Sequence, residues 1–297
     1  MTQTKLSKTK NEQKEIKKGT YDPRNKLNDL TSSEWIQETV SVFNQKGLGA
    51  KHEDTKIERQ HPAPFSFQDV ARLIKFFTKK KERVLDPFNG VASTLKSCAL
   101  NNREGYGIEL NKEFYNLSRK RLSKEVPNTL FEGSKQHIIL GDSLEEIKKF
   151  DEDFFDFIIT SPPYWNILNT IDNKVKKDRV SNGLTTKYSD DPRDLSNIDK
   201  YENFVSKLGD FFNDCSKKLK QKKYMVIIVS DFRKKDRYYS FHSDLANYIE
   251  SKNNFALKGI TILYQRHKKI MPYGYPFSYV PNIHHQYILI FQKNGEK

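Results

Sequence analysis

Phe154-Phe155-Asp156-Phe157-Ile158-Ile159-Thr160-Ser161-Pro162-Pro163-Tyr164-Trp165 is the stretch on which the fold turns. The run from Phe154 to Ile159 reads as a buried strand. Pro162 and Pro163 lack the N–H groups a central strand needs, so the chain must break there, with an aromatic pair just beyond. In α/β proteins such a sheet edge is where sites are built. Two stiff prolines aim their carbonyl oxygens in fixed directions, Ser161 adds a hydroxyl and Tyr164 a flat face. Together they offer acceptors for an amine beside a stacking surface for a ring, a pocket for a planar, amino-bearing base. The same residues also suit a plain strand end whose prolines turn the chain and whose Tyr164 and Trp165 pack in the core.

Outward from this corner, strands read at 83–87, 105–110, 137–141, 155–160, 224–230, 256–264 and 286–292, with helices near 93–101, 112–124, 144–148, 200–221 and 241–252. Parallel neighbours need crossover connections, so this alternation predicts a mostly parallel sheet with helices on both faces. No helix separates the last two strands. A loop with Pro272, Gly274, Pro276 and Pro281 joins them, so the final strand should run antiparallel. Near the N-terminus, Thr31 and Glu34 form a capping-box pattern. Trp35, Ile36, Thr39, Val40 and Phe43 continue it as a helical stripe closed by Gly47 and Gly49. His61-Pro62-Ala63-Pro64-Phe65-Ser66-Phe67 is a rigid turn before a helix that carries Val70, Leu73, Ile74 and Phe77 on one face.

The chain has 297 residues, of which 36% are hydrophobic, enough for a real core. Its 52 basic residues against 38 acids give a formal charge of +14, which suits a polyanionic partner such as nucleic acid. Cys98 and Cys215 are too few and too far apart for a disulfide framework or a four-ligand zinc site. No apolar run approaches the ~20 residues of a membrane span, and no signal-peptide core is visible, so a soluble cytoplasmic protein is expected. Residues 1–20 read as a basic, flexible tail and 21–297 as a single domain. Two stretches interrupt the alternation. Residues 166–199 carry Lys174, Lys176, Lys177, Arg179, Lys187 and Arg193; residues 265–285 set Arg266, His267, Lys268 and Lys269 beside Tyr273, Tyr275 and Tyr279. A loop as long as the first is usually functional or disordered, and the second's basic residues interleaved with aromatics suit either nucleic acid or a solvated loop stapled by tyrosines; with nucleic acid as the partner, both are expected to contact it.

Three successive strands each end in an acid: Asp86, Glu109 and Asp142. After Asp86 comes Pro87-Phe88-Asn89-Gly90-Val91-Ala92, a small-residue loop that lets a ligand approach the backbone. Such an edge suits a nucleoside carrying an amino acid; each acid would equally serve as an ordinary helix cap.

Phe65-Ser66-Phe67, Asp86-Pro87-Phe88-Asn89-Gly90, Gly107-Ile108-Glu109, Gly141-Asp142 and Ser161-Pro162-Pro163-Tyr164 occur in this order before the strand from His285 to Phe291. The set resembles the S-adenosylmethionine-dependent DNA methyltransferases that modify exocyclic amines. The resemblance covers roughly residues 60–293 and is far more specific than any one of its motifs. It implies a Rossmann-like class I methyltransferase fold, a seven-stranded sheet with the last strand antiparallel. It implies S-adenosylmethionine as cofactor, with Asp86 on the amino group of its methionine part, Glu109 on the ribose, Asp142 on the adenine, and the Phe65-Ser66 corner at the carboxylate. Phe88 and Gly90 belong to the same cofactor loop. Ser161, Pro162, Pro163 and Tyr164 would hold a base flipped out of duplex DNA. No metal is implied, and a cognate restriction endonuclease is admitted as a second partner. Ala92 stands where the family often has a second glycine, which should set the loop slightly further from the cofactor. The cofactor half comes first, and a separate recognition domain after it is not expected. A serine before the two prolines resembles the N4-cytosine enzymes, while aspartate there resembles the N6-adenine ones.

Overall fold

The computed structural model describes residues 19–45, 55–58, 60–61, 66–127, 134–166, 181, 191–234 and 236–295. Most of the basic tail, Gly47 and Gly49, and Lys174, Lys176, Lys177, Arg179 and Lys187 lie outside these residues. The strands are β1 (Val42–Asn44), β2 (Arg83–Asp86), β3 (Glu104–Glu109), β4 (Gln136–Leu140), β5 (Phe155–Thr160), β6 (Leu219–Val229), β7 (Phe232–Lys234), β8 (Arg237–Tyr239), β9 (Phe255–Tyr264) and β10 (His285–Lys293). Eight of them form one sheet in the order β1-β9-β10-β6-β5-β2-β3-β4, and β7 pairs with β8 in a separate hairpin. β2 is parallel to β3 and β5, β3 to β4, and β5 to β6, while β10 runs antiparallel to both β6 and β9. This is the Rossmann-like class I arrangement, with the last strand reversed.

The central strands are buried on both faces, and period-2 alternation sorts their side chains. Leu85, Ile158, Met225, Ile227 and Leu289 face one layer with Phe204, Leu208, Phe212, Leu245 and Ile249. Those partners come from the helices Tyr201–Cys215 and Phe241–Ser251. Val84, Phe157, Ile159, Val226, Ile228 and Ile288 face the other layer, against Val70, Leu73, Ile74 and Phe77 of the helix Phe67–Phe77. Cys98 and Cys215 are both buried in these layers.

All seven predicted strands are present, and β1 adds an eighth. The capping box forms, since Thr31 N–H donates to Glu34 at 2.8 Å, but the helix ends at Glu38 and Phe43 becomes a strand residue. β-branched Val40 and Val42 favour extended backbone, and the open edge of β9 supplies partners, Val42 opposite Ile262. The predicted helix 200–221 likewise ends at Cys215, and β6 starts at Leu219. Lysines mask this strand start: Lys220 pairs with Asp156 at 2.8 Å and Lys223 with Glu82 at 2.6 Å, so the charges sit on acids beside the sheet.

Candidate cofactor and substrate cleft

The carboxyl ends of β2, β3, β4 and β5 converge on a cleft lined by residues from all four strand ends. The loop after β2 forms its floor. Gly90 has φ +53°, where a Cβ would stand 3.3 Å from the His61 imidazole. Its N–H donates to the Glu109 carboxylate at 2.8 Å, and the Asn111 N–H donates to the other Glu109 oxygen at 2.7 Å. Burial nonetheless pushes the Glu109 pKa up to about 8, with the charges of Asp86 and Asp194 adding to the rise. Asp142 caps the short helix Ser143–Glu146, accepting from Leu144 N–H at 3.0 Å, and its side chain lies on the cleft wall.

The loop rests on a buried ionic network. Fully buried Arg121, on the helix Lys112–Glu125, donates to Glu125 at 2.9 Å, to Glu58 at 2.8 Å, to the Val91 carbonyl at 3.1 Å and to Ser93 at 3.0 Å. Lys96, also buried, reaches Glu125 at 2.8 Å.

Ser161 and Pro163 lie on the wall at the end of β5, and Pro162 is buried behind them. The Tyr164 hydroxyl, half-buried, is 3.5 Å from the Gln286 amide and within hydrogen-bonding reach of the Ser161 side chain and the Ser230 backbone. Burial raises the pKa of this phenol. Trp165 is core rather than pocket wall. It is 5% exposed, its indole N–H donates to the Ile198 carbonyl at 2.6 Å, and Tyr201 and Tyr239 pack on it. The Asn166 N–H donates to Ser196 at 3.0 Å, which draws the segment around Arg193, Asp194 and Leu195 onto the cleft.

Of the residues singled out in the sequence, Phe88, Gly90, Glu109, Asp142, Ser161 and Pro163 meet on the cleft wall. Asp86 does not. Its carboxylate is wholly buried and accepts from the Thr160 hydroxyl at 2.6 Å, the Phe88 N–H at 3.1 Å and the Thr94 hydroxyl. Burial pushes its pKa up to about 6 against these donors. Ser66 is buried too, as the N-cap of Phe67–Phe77, where it accepts from Gln68 N–H at 3.3 Å; Phe65 lies outside the described residues. Ala92 sits beneath the loop at φ +63°, fully buried and off the wall. His61, Asn111 and Phe114 line the cleft without having been singled out for it. Asn111 was readable, as an N-cap immediately before a helical run. Asp194 and Leu195 had no local signal.

A family model described as DNA methylase matches residues 2–120 and 155–297. The chain belongs to the DNA methylase family. Among curated relatives, this methylase is 37% identical over 71 residues to the orphan methyltransferase M.BamHII of Bacillus amyloliquefaciens, a match spanning 24% of this chain and 27% of that one. It is 28% identical over 159 residues to the type II methyltransferase M.HpaI of Haemophilus parainfluenzae, over 50% and 47% of the two chains. The methylase thus matches less than half the length of either curated relative. Among solved structures, it is similar to a SAM-dependent methyltransferase of Methanosarcina mazei at 12% identity and a TM-score of 0.46, over 73% and 94% of the chains.

Proposed function

We propose that this methylase transfers a methyl group from S-adenosylmethionine to the exocyclic N4 of cytosine in duplex DNA. The observation that carries the reading is Ser161, placed on the wall of the same cleft as Gly90, Glu109 and Asp142, with the Tyr164 hydroxyl within its reach.

The cleft fits the cofactor. Gly90 leaves room beside the backbone, and each Glu109 oxygen keeps a lone pair for a ribose hydroxyl after accepting from Gly90 or Asn111. Asp142 offers an acceptor for an adenine amine. The bound cofactor supplies an electrophilic methyl on a sulfonium. The chain's own residues raise the nucleophilicity of the amine: the Pro162 carbonyl and the Ser161 hydroxyl accept its N–H bonds and favour a tetrahedral nitrogen. These contacts strengthen as positive charge develops on nitrogen. Pro163 and Tyr164 frame the ring. Asp86 acts at one remove, fixing the loop and the corner relative to each other.

A neutral hydroxyl at Ser161 both accepts from an amine and donates to the ring nitrogen beside it, a pair that cytosine and adenine share, so the choice of cytosine rests on the resemblance of a serine before the two prolines to the N4-cytosine enzymes, with N6 of adenine as the alternative. The basic loops 166–199 and 265–285 would carry contacts to phosphate. A restriction-modification role in the cytoplasm belongs to the same proposal; the similarity to M.HpaI, named a type II methyltransferase, supports the role. Among the described residues no helix is long and apolar enough to cross a membrane. Mass spectrometry of nucleosides from DNA incubated with the protein and cofactor tests the reading. We expect 4-methylcytosine; 6-methyladenine alone would overturn the base assignment, and no methylated base would overturn the activity.

A further inference from the structure

The loop between β9 and β10 is fastened to itself. The Asn282 side chain clasps Met271, accepting from its N–H and donating to its carbonyl, both at 2.9 Å. The amides of Phe277 and Ser278 donate to the Gly274 carbonyl at 2.7 and 2.8 Å. Gly274 has φ +75°, and a Cβ there would stand 2.3 Å from the Ser278 carbonyl oxygen, so the turn requires glycine. This organised turn buries none of its own aromatics: Tyr275 is 81% exposed, Phe277 94% and Tyr279 90%. Scattered exposed apolar residues need no explanation, but a cluster held out by a fastened turn marks a contact surface.

Two observations say what it contacts. Arg266, Lys268 and Lys269 stand exposed at its base and pair with no acid among the described residues, a charge complementary to phosphate. The loop re-enters the sheet at His285 and Gln286, and Gln286 lies 3.5 Å from the Tyr164 hydroxyl, so the loop is rooted at the Ser-Pro-Pro-Tyr corner. A phenylalanine ring has no polar atom for a phosphate or a base edge; against a duplex it stacks or wedges, or meets a thymine methyl, and only the first two would respond to the pairing of the target base. Extruding a base leaves a gap in the stack, and an inserted ring recovers part of the stacking given up. We infer that Phe277, flanked by Tyr275 and Tyr279, enters the duplex where the target base has left the stack. The inference rests on the DNA reading above.

The test uses a duplex carrying the methylated site mapped by sequencing, with labelled methyl transfer by the full chain and by its Phe277→Ala and Phe277→Trp variants. Phe277→Ala should lose about tenfold or more in kcat/KM, with an unchanged melting temperature and an unchanged salt dependence of binding. Phe277→Trp should stay within a few-fold of the parent, because its ring still stacks. A mismatch opposite the target base, which weakens the pair beforehand, should restore most of the loss in Phe277→Ala. A parent that labels no DNA overturns both the DNA reading and the wedge. An active parent matched by Phe277→Ala on the paired duplex overturns the wedge alone, as does a parent dimer that Phe277→Ala dissolves, since the patch then serves self-association.

Discussion

Thr160 donates its hydroxyl to the Asp86 carboxylate at 2.6 Å inside the sheet, where both residues are fully buried. One lies at the end of β2 and the other immediately before Ser161, so this bond ties the loop after β2 to the Ser-Pro-Pro-Tyr corner. Asp86 also holds the Phe88 N–H and the Thr94 hydroxyl, and its removal would strand two buried hydroxyls and a half-buried N–H. Asp86→Ala should therefore lower stability by about 2–3 kcal/mol, and Thr160→Val, which removes one bond, by less. Chemical denaturation measures both. An unchanged midpoint together with abolished cofactor binding in calorimetry would instead put the carboxylate on the cofactor.

Arg121 meets two acids, a hydroxyl and a backbone carbonyl with no exposed surface of its own. Arg121→Met leaves the partners of a buried charge uncompensated and should cost about 3–5 kcal/mol. Thermal unfolding checks this; a loss under about 0.5 kcal/mol, the scale of a surface substitution, would show that the network is dispensable.

Glu109 gives the fold a pH dependence opposite in sign to that of a salt-bridged acid. Burial pushes its pKa up to about 8 in the folded chain, against an ordinary value of 4.5. Between these values the folded state holds a proton that the unfolded state has released, so stability falls as pH rises through the window. The slope approaches about 1.4 kcal/mol per pH unit at most. Glu109→Gln should flatten the denaturation midpoint between about pH 5 and pH 8. A variant that keeps the parent's slope would assign the dependence to other groups.

On the proposal that the hydroxyl meets the base amine and not the sulfonium, Ser161→Ala should reduce kcat at least tenfold while cofactor affinity stays within about threefold. Single-turnover methylation and calorimetry separate the two quantities. Equal losses in both would place Ser161 on the cofactor side of the cleft.

Lys268→Gln with Lys269→Gln should weaken binding to all duplex sequences alike and reduce the slope of log affinity against log salt by about one for each phosphate no longer neutralised. An unaltered slope would take these lysines off the phosphates.

Much of this protein is legible in its sequence, because the signals involved are local. Apolar runs such as Phe155 to Ile159 announce strands buried on both faces, and Pro162 and Pro163 end one of them by removing N–H donors. The acids closing β2, β3 and β4 stand at strand ends whatever the strand order, and the ordered motifs point to the methyltransferase family. The short strand β1 was hidden because its partner edge on β9 is more than two hundred residues away in sequence, and the capping box at Thr31 and Glu34 is correct yet silent about where its helix stops.

Only the tertiary structure decided which way each side chain faces, since that depends on partners brought together from separate strands. Asp86 turns inward because Thr94 and Thr160 converge on it, whereas Glu109 stays on the cleft wall because the Gly90 and Asn111 amides hold it there. Trp165 joins the core because Tyr201, Tyr239 and the Ile198 carbonyl surround it. Asp194 and Leu195 reach the cleft because the Asn166 amide meets the Ser196 carbonyl. Such a contact exists only once the sheet has formed, so no local pattern in the chain records it.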